Sequence, residues 1–304
     1  MKNPLIEHVR RAIAANRRPG LHYPGFHLEL EAIDVSQEGS HFAMANGPHC
    51  ADADGGMNIC AIALLADMGM GAAMRVHLPE VSRMATATMQ LHFTGLRAKT
   101  DLQCRGQFDG FFQGAQATQG RVSGKITAGE DIICHGSATF ATPPAPPGVV
   151  VRPVPWDSMG PRHTPPPLPV AEMDEDEKRI LKAAKSALKK ATPEHSFIEY
   201  FWAQLAKHKE GGATNSLKFG PHVGNRVGHM QGGVIFGVAA ATAAAAVPGS
   251  LMTSASAWYI SPGTGDKLSV KSTVLQSGRT IAVVRTEVLS GKRLVLAMMT
   301  SHTF

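Results

Sequence analysis

Residues 58–73 read NICAIALLADMGMGAA, and this stretch decides the fold. It is long enough for about four helical turns, and its apolar side chains occur on every face of the helix, not along one stripe. Such a helix must be buried all round, and a sheet that wraps it provides that burial. Asp67 is the one carboxylate in the stretch.

A second apolar stretch, residues 234–247, reads VIFGVAAATAAAAV. Its 14 residues are too few to span a bilayer, so it predicts another buried helix. The segments around the two stretches also match in pairs. These pairs are amphipathic helices at 5–16 and 175–191, glycines at 55–56 and 232–233, alternating strands at 84–93 and 252–261, and a Ser-x-Thr-Phe ending at 137–140 and 301–304.

A proline-rich segment separates the two halves. Residues 143–169 contain 11 of the 20 prolines, which favours an extended, semi-rigid linker over a helix or an interior strand. We therefore predict an N-terminal domain at 1–142, a linker at 143–170 and a C-terminal domain at 171–304.

This pattern resembles the hotdog fold, in which a curved antiparallel sheet wraps a long central helix, and two copies resemble a double-hotdog protein. The stretch 58–73 and residues 229–236, HMQGGVIF, are most similar to acyl-CoA thioesterases of the phenylacetic-acid-degradation type. The resemblance covers roughly 24–141 and 195–304. It implies an α+β tandem hotdog that hydrolyses an acyl-CoA thioester, with coenzyme A as part of the substrate and no separate cofactor.

Asp67 is the main candidate for chemistry. A carboxylate in an apolar helix is costly to bury unless it is paired or functional, and burial raises its pKa. This makes Asp67 a candidate general base or nucleophile for thioester cleavage. The alternative is a structural role, for instance capping a helix that restarts after Gly69 and Gly71.

Gly232 and Gly233 precede the second helix. The free N–H groups of a first helical turn can bind a developing oxyanion, although a Gly-Gly pair is equally suited to a simple turn. Gln231 stands where the family pattern has histidine, and the resemblance suggests that it orients the thioester carbonyl.

The family pattern places its aspartate seven residues after the second glycine of His-Gly-Gly. Here that position after Gly233 is Ala240, and the position seven before Asp67 is Cys60, so neither half carries both pieces. In hotdog enzymes the amide and the acid come from opposing protomers, which correspond here to opposing halves. We therefore expect one competent site per chain, formed by Asp67 and the Gly233 amide, and an inert counterpart at Cys60 and Ala240.

Five further residues are candidates for substrate binding, each with a plainer alternative. Asn58 could equally cap its helix, and His229 and Asn225 could be ordinary loop residues. Thr86 and Thr88 could hold a water near Asp67 or serve only as good strand formers. For the phosphates of coenzyme A, the candidate basic rim is Arg97, Lys99, Arg226, Lys267 and Arg279.

Composition limits the other possibilities. The net charge of +6 favours an anionic ligand, but no basic block indicates nucleic-acid binding. The four cysteines form no C-x-x-C pair and no secretory signal is visible, so we expect reduced thiols in a cytoplasmic, non-membrane protein. The histidine spacing does not suggest a metal site. The outer sheet faces lead us to expect a homodimer.

Two other functions remain open at this point. The stretch 46–49, Asn-Gly-Pro-His, weakly resembles a motif of hotdog-type enoyl-CoA hydratases. The incomplete motifs in both halves would also fit an acyl-CoA-binding protein without catalytic activity.

Overall fold

The computed structural model describes residues 3–113, 118–144, 148, 150 and 153–304. One antiparallel sheet runs through both halves. The first half contributes α1 (Pro4–Asn16), α2 (Tyr23–His27), β1 (Glu31–Ser36), β2 (Gly39–Met44), α3 (Ile59–Arg75), β3 (Ala85–Phe93), β4 (Leu102–Phe111), β5 (Gln119–Ala128) and β6 (Asp131–Ala141). The second half contributes α4 (Glu175–Lys190), α5 (Phe197–Phe201), β7 (Lys207–Lys209), β8 (Gly212–Lys218), α6 (Gly232–Ala246), β9 (Leu251–Tyr259), β10 (Lys267–Ser277), β11 (Ile281–Ser290) and β12 (Arg293–Thr303).

The strand order is β1-β2-β4-β5-β6-β3-β9-β12-β11-β10-β8-β7, so the second half repeats the first in reverse around the centre. The two halves join where β3 pairs with β9, with Gln90 opposite Ser256. The predicted α+β tandem hotdog is confirmed.

The central helices α3 and α6 pack directly on each other inside the wrapped sheet. A Cβ placed on Gly233 would lie 2.7 Å from the Leu64 Cα, and one placed on Gly237 would overlap the Cys60 backbone. The glycines of α6 therefore let two backbones meet where any side chain would separate them. Cys60 and the other three cysteines are buried and free.

The amphipathic helices α1 and α4 lie outside the sheet and are held to each other. Asp174 and Glu177 form a capping box at the start of α4, as the acidic cluster there favours. Glu177 also binds Arg17 after the end of α1, at 2.7 Å. This ion pair connects the N-terminal helix to the second half.

The segment between the halves has three short 3₁₀ turns, at 156–158, 161–163 and 170–172, within the predicted linker. Part of the linker prediction, at 145–147, 149 and 151–152, lies outside the described residues. Each half has two strands before its central helix. Among the described residues, no helix is both long and apolar enough to cross a membrane.

Candidate active site

The Asp67 carboxylate is buried between the two halves and hydrogen-bonded from both. It projects from α3 with 7% of the residue exposed. Thr86 Oγ1, on β3, donates to Asp67 Oδ1 at 2.7 Å. Gln231 Nε2, at the start of α6, donates to Asp67 Oδ2 at 2.8 Å. The Gly233 amide also faces the carboxylate and lowers its pKa.

Two opposing effects set the pKa of Asp67. Burial raises the pKa because it disfavours the charged form, and this effect is the larger one. The donors Thr86, Gln231 and Gly233 act against it because they stabilise the carboxylate. The result is a raised pKa on a carboxyl group whose ionised form still has hydrogen-bond partners.

Gln231 is held in place by the helix that it caps. Its Oε1 accepts a hydrogen bond from the Val234 amide at 2.8 Å, which satisfies a first-turn N–H of α6. With Oε1 engaged there, Nε2 is directed at Asp67. The helix cap therefore fixes the orientation of the side chain amide that contacts the carboxylate.

Tyr259 is a site residue that the sequence did not reveal. It ends β9, and its hydroxyl donates to the Gly232 carbonyl at 3.1 Å. Burial and the nearby Asp67 raise its pKa well above the usual range, so it stays a neutral donor. Its position at the end of an alternating strand with an inward-facing side chain was the available signal.

A cavity of about 790 Å³ opens beside Asp67 and is lined by both halves. Five of the candidate residues line it, namely Thr86, Gln231, Gly232, Asn225 and His229. Asp67 is the only carboxylate among the described lining residues. The basic side chains of the lining are Arg17, Arg18, Arg75, Arg83, Arg226 and the imidazoles His22 and His229.

The loop before α6 is shaped by Asn225. Its Oδ1 accepts hydrogen bonds from the amides of Val227 and His229, both at 3.0 Å. His229 faces the cavity, and burial lowers the pKa of its imidazole. Both residues therefore form part of the wall, with Asn225 acting through the loop backbone.

Asn58 and Thr88 do not belong to this site. Asn58 caps α3 by accepting from the Cys60 amide at 2.8 Å, and it donates to Asp52 at 2.5 Å. Thr88 instead shares a hydrogen bond with Thr139 at 2.8 Å. The strand register shifts between Thr86 and Thr88, so the two side chains point to opposite faces and the simple two-residue period fails.

The basic rim is also different from the predicted one. Of the five candidates only Arg226 lines the cavity, where it donates to the carbonyls of Asn16, Arg18 and Leu21. Arg97 is paired with Asp52 and Asp54 at 3.0 and 2.6 Å. Lys99, Lys267 and Arg279 are not among the lining residues.

The loops before the two central helices are copies of each other. Residues 47–58 read GPHCADADGGMN and residues 220–231 read GPHVGNRVGHMQ. In this alignment Asn58 corresponds to Gln231, and Asp67 corresponds to Ala240. The Gly-Pro-His repeat at 47–49 and 220–222 was visible in the sequence. His49 packs on His8, with ring centroids 4.4 Å apart, outside the Asp67 cavity.

In the described part of the chain, no group of three or more His, Cys, Asp or Glu side chains is arranged to hold a metal ion. The polar groups that line the cavity include Asp67, its side-chain donors Thr86 and Gln231, and the cationic side chains of the wall.

Comparisons with known proteins agree with this architecture. Residues 222–303 match the family model of the acyl-CoA thioesterase N-terminal domain. No curated protein sequence matches the chain.

Among solved structures, a TesB protein of Mycobacterium avium subspecies paratuberculosis is 14% identical with a TM-score of 0.54, over 91% of this chain and 96% of that one. A putative oleoyl thioesterase of Lactobacillus plantarum is 9% identical with a TM-score of 0.52, over 89% and 97%. A putative thioesterase II of Thermobifida fusca is 12% identical with a TM-score of 0.51, over 94% and 98%.

These identities show a shared fold, while the family model adds a sequence similarity over residues 222–303. The matched family consists of thioester hydrolases, which is the enzyme class that the sequence predicted. The expected resemblance to double-hotdog acyl-CoA thioesterases is thus confirmed for the fold, over 91% of this chain, and residues 222–303 are similar in sequence to the acyl-CoA thioesterase family model.

Proposed function

We propose that this protein hydrolyses an acyl-CoA thioester at a single site per chain, with Asp67 as the general base. The observation that carries the proposal is the buried Asp67 carboxylate, which accepts hydrogen bonds from both halves in a cavity whose other charged side chains are basic. The corresponding position in the second half is Ala240, whose side chain carries no carboxylate.

In the proposed reaction, Asp67 accepts a proton from a water molecule as the oxygen of that water attacks the thioester carbonyl carbon. The C–O bond forms and the carbonyl oxygen becomes an oxyanion. The C–S bond then breaks, and the proton held by Asp67 is available to the departing thiolate. The products are a carboxylic acid and free coenzyme A, so atoms and charges balance.

Thr86 and Gln231 have a positioning role in this scheme. Each donates to a different oxygen of Asp67, which fixes the plane of the carboxylate and leaves lone pairs for a water. We assign the oxyanion to the first-turn amides of α6 at Gly232, which lines the cavity, and Gly233, because first-turn N–H groups have no intrahelical partner. Because the Gly233 amide also faces Asp67, it would act on both the carboxylate and the oxyanion.

The test is release of free thiol from a panel of acyl-CoAs, from acetyl to long-chain and aromatic. Asp67→Asn, which keeps the size of the side chain, should reduce kcat by about a hundredfold or more. Asp131→Asn, at an exposed strand end, is the matched control and should retain full activity. Full activity in Asp67→Asn would refute the proposal, and water addition to an enoyl-CoA without thiol release would favour a hydratase.

Isotope labelling distinguishes a base from a nucleophile. In a single turnover in ¹⁸O-water, a base delivers the label to the acid product alone. A nucleophilic Asp67 would form an anhydride, and the label could then enter the Asp67 carboxylate. Label in a peptide that contains Asp67 would overturn the assignment as a base.

Two broader features of the proposed enzyme are its assembly and its compartment. We propose a homodimer of double-hotdog chains acting in the cytoplasm, where its four buried thiols would stay reduced. Sedimentation equilibrium tests the first point, since a species of one chain mass at all concentrations would contradict it. Fractionation of cells tests the second.

A further inference from the structure

Several arginines line the cavity beside Asp67, and not all of them are neutralised by an acidic side chain. Arg17 is paired with Glu177, and Arg226 is engaged by three backbone carbonyls. Arg75 lies at the C-terminal end of α3, which forms part of the cavity wall. Arg18 and Arg83 also line the cavity and form no ion pair among the described residues, but Arg75 is the one arginine of the lining that shares a helix with Asp67.

Arg75 and Asp67 lie on one face of the same helix. Asp67, Gly71 and Arg75 follow each other at intervals of four residues, and all three line the cavity. Eight residues of helix separate the Cα atoms of Asp67 and Arg75 by about 12 Å. The reacting carboxylate and a guanidinium therefore face the same space from two ends.

The wall between these two groups is apolar. Gly71 contributes no side chain, and a Cβ there would lie 3.1 Å from Met84 and 3.5 Å from Phe140. Met84, Phe140 and Ala72 also line the cavity. This section is suited to methylene groups rather than to the polar chain of pantetheine.

The Arg75 guanidinium has no acidic partner. Its Nη1 donates to the Ser82 carbonyl at 3.0 Å, and it forms no ion pair in the part of the chain that the structure describes. None of the remaining residues, 1–2, 114–117, 145–147, 149 and 151–152, is acidic. Burial lowers the pKa of Arg75, as expected for a cation without a counter-charge.

We propose that Arg75 binds a carboxylate at the far end of the acyl group, so that the substrate is the CoA thioester of a short dicarboxylic acid. This inference rests on the proposed thioester hydrolysis at Asp67. The thioester carbon lies at Asp67, the methylenes lie against Gly71, Met84 and Phe140, and the distal carboxylate meets the guanidinium. A planar guanidinium is suited to a carboxylate because it can donate two parallel hydrogen bonds.

The experiment compares matched acyl-CoAs that differ in the distal charge. Glutaryl-CoA and adipyl-CoA are each paired with the neutral ester of the same acid, the mono-methyl glutaryl and mono-methyl adipyl thioesters. For the wild-type protein, kcat/KM for the diacid should exceed that for its neutral partner by about ten- to a hundredfold. A preference for the neutral member in both pairs would overturn the proposal.

Three variants assign the preference to one side chain. Arg75→Gln retains a donor for the Ser82 carbonyl and removes the charge, so the diacid preference should fall to about onefold or below. Arg75→Lys should retain part of the preference. Arg83→Gln is the matched control, because Arg83 lines the same cavity and donates to the Pro144 carbonyl, and the preference should remain as in the wild type. An unchanged preference in Arg75→Gln would overturn the proposal.

Two further measurements distinguish a carboxylate from a phosphate at Arg75 and separate binding there from hydrolysis at Asp67. Pantetheine thioesters of the same acids lack the nucleotide phosphates. If Arg75→Gln weakens every CoA ester equally and leaves pantetheine esters unaffected, Arg75 binds a phosphate and the proposal fails. Binding of glutaryl-CoA and its methyl ester to Asp67→Asn, measured by calorimetry, needs no turnover. Tighter binding of glutaryl-CoA supports the role of Arg75 even if hydrolysis is not found.

Discussion

Gln231 in the second half donates a hydrogen bond to Asp67 in the first half, at 2.8 Å, while capping its own helix. The geometry of the candidate base therefore depends on correct association of the two halves. An isolated N-terminal half would contain Asp67 and Thr86 but would lack the third side chain of the arrangement and the Gly233 amide.

The first prediction concerns the pH dependence of activity. Asp67 acts in its ionised form, so kcat/KM should fall as pH decreases through its pKa. Because Gln231 lowers that pKa by hydrogen bonding, Gln231→Leu should move the acidic limb of the profile to higher pH and also reduce kcat. The check is to measure kcat/KM across pH with a thioester whose acyl group does not ionise, such as hexanoyl-CoA.

Gln204→Leu serves as the control for this variant, since Gln204 is a buried glutamine outside the cavity. It should leave the position of the acidic limb as in the wild type. An acidic limb that stays in place in Gln231→Leu would contradict the assignment of this limb to Asp67.

A second prediction follows from the contact between the central helices. A Cβ on Gly237 would overlap the Cys60 backbone, which cannot rotate away as a side chain can. Gly237→Ala should therefore reduce the free energy of unfolding by about 1–3 kcal/mol or more, despite the higher helix propensity of alanine. Urea denaturation followed by circular dichroism measures the change.

Gly278→Ala is the comparison, because the nearest atom to a Cβ there is the Ile281 carbonyl oxygen at 3.6 Å, an ordinary contact. This variant should differ from the wild type by about 0.5 kcal/mol or less. If the two variants had the same free energy of unfolding, α3 and α6 would be able to move apart and accommodate the added Cβ without loss of stability.

The third prediction concerns acid stability. His49 is buried against His8, and burial, reinforced by the charge of His8, lowers the pKa of His49 to about 3. Because its folded pKa lies below its unfolded value, the folded state binds fewer protons. The stabilisation is complete above about pH 6.5 and is lost progressively as pH falls towards 3, at about 1.4 kcal/mol per pH unit.

Urea midpoints measured between pH 7.5 and 4.5 test this expectation. His49→Gln should show a shallower decrease over that range than the wild type, even if it is less stable at pH 7.5. His163→Gln, at an exposed histidine, should follow the wild-type slope. Parallel slopes for all three proteins would show that His49 is not responsible.

The fourth prediction separates the two arginines of the expected basic rim. Arg226→Gln should raise KM for acyl-CoAs severalfold, because the loop from Asn16 to Leu21 that it holds forms part of the cavity wall. Arg97→Gln should leave KM unchanged, because Arg97 is committed to Asp52 and Asp54 outside the cavity. Steady-state kinetics with one acyl-CoA decide between them, and a raised KM in Arg97→Gln would contradict this placement.

The sequence predicted the fold well because the fold depends on patterns that repeat. Two all-round apolar helices required a wrapping sheet, and their duplication showed that there are two such units. Asp67 was identifiable because a carboxylate in an apolar stretch is unusual, and Gln231 because the resemblance places a histidine at its position. The prediction that the two halves contribute to one site depended on the resemblance, since no local pattern relates residues so far apart in sequence.

The errors had local structural causes that composition does not reveal. Thr88 was a candidate because its hydroxyl lies on the strand that follows the first central helix, and the register shift beside Thr86 leaves it paired with Thr139 instead. Asparagine is a residue type that can contact a ligand, but the Asn58 side chain hydrogen-bonds a helix amide and Asp52. Arg97 was placed on the rim for its charge alone, and the two aspartates that neutralise it come from a separate loop.

The pairing of β3 with β9 has a consequence for growth into fibres. By joining the halves there, the chain conceals two strand edges that separate domains would each expose. Of the two edges left, β7 is three residues long and carries Lys207 and Lys209, while β1 is interrupted by a register shift between Ala32 and Asp34. Both are poor templates for an incoming strand, so copies of this chain should resist end-to-end sheet extension, and a stable dimer must form through sheet faces or helices.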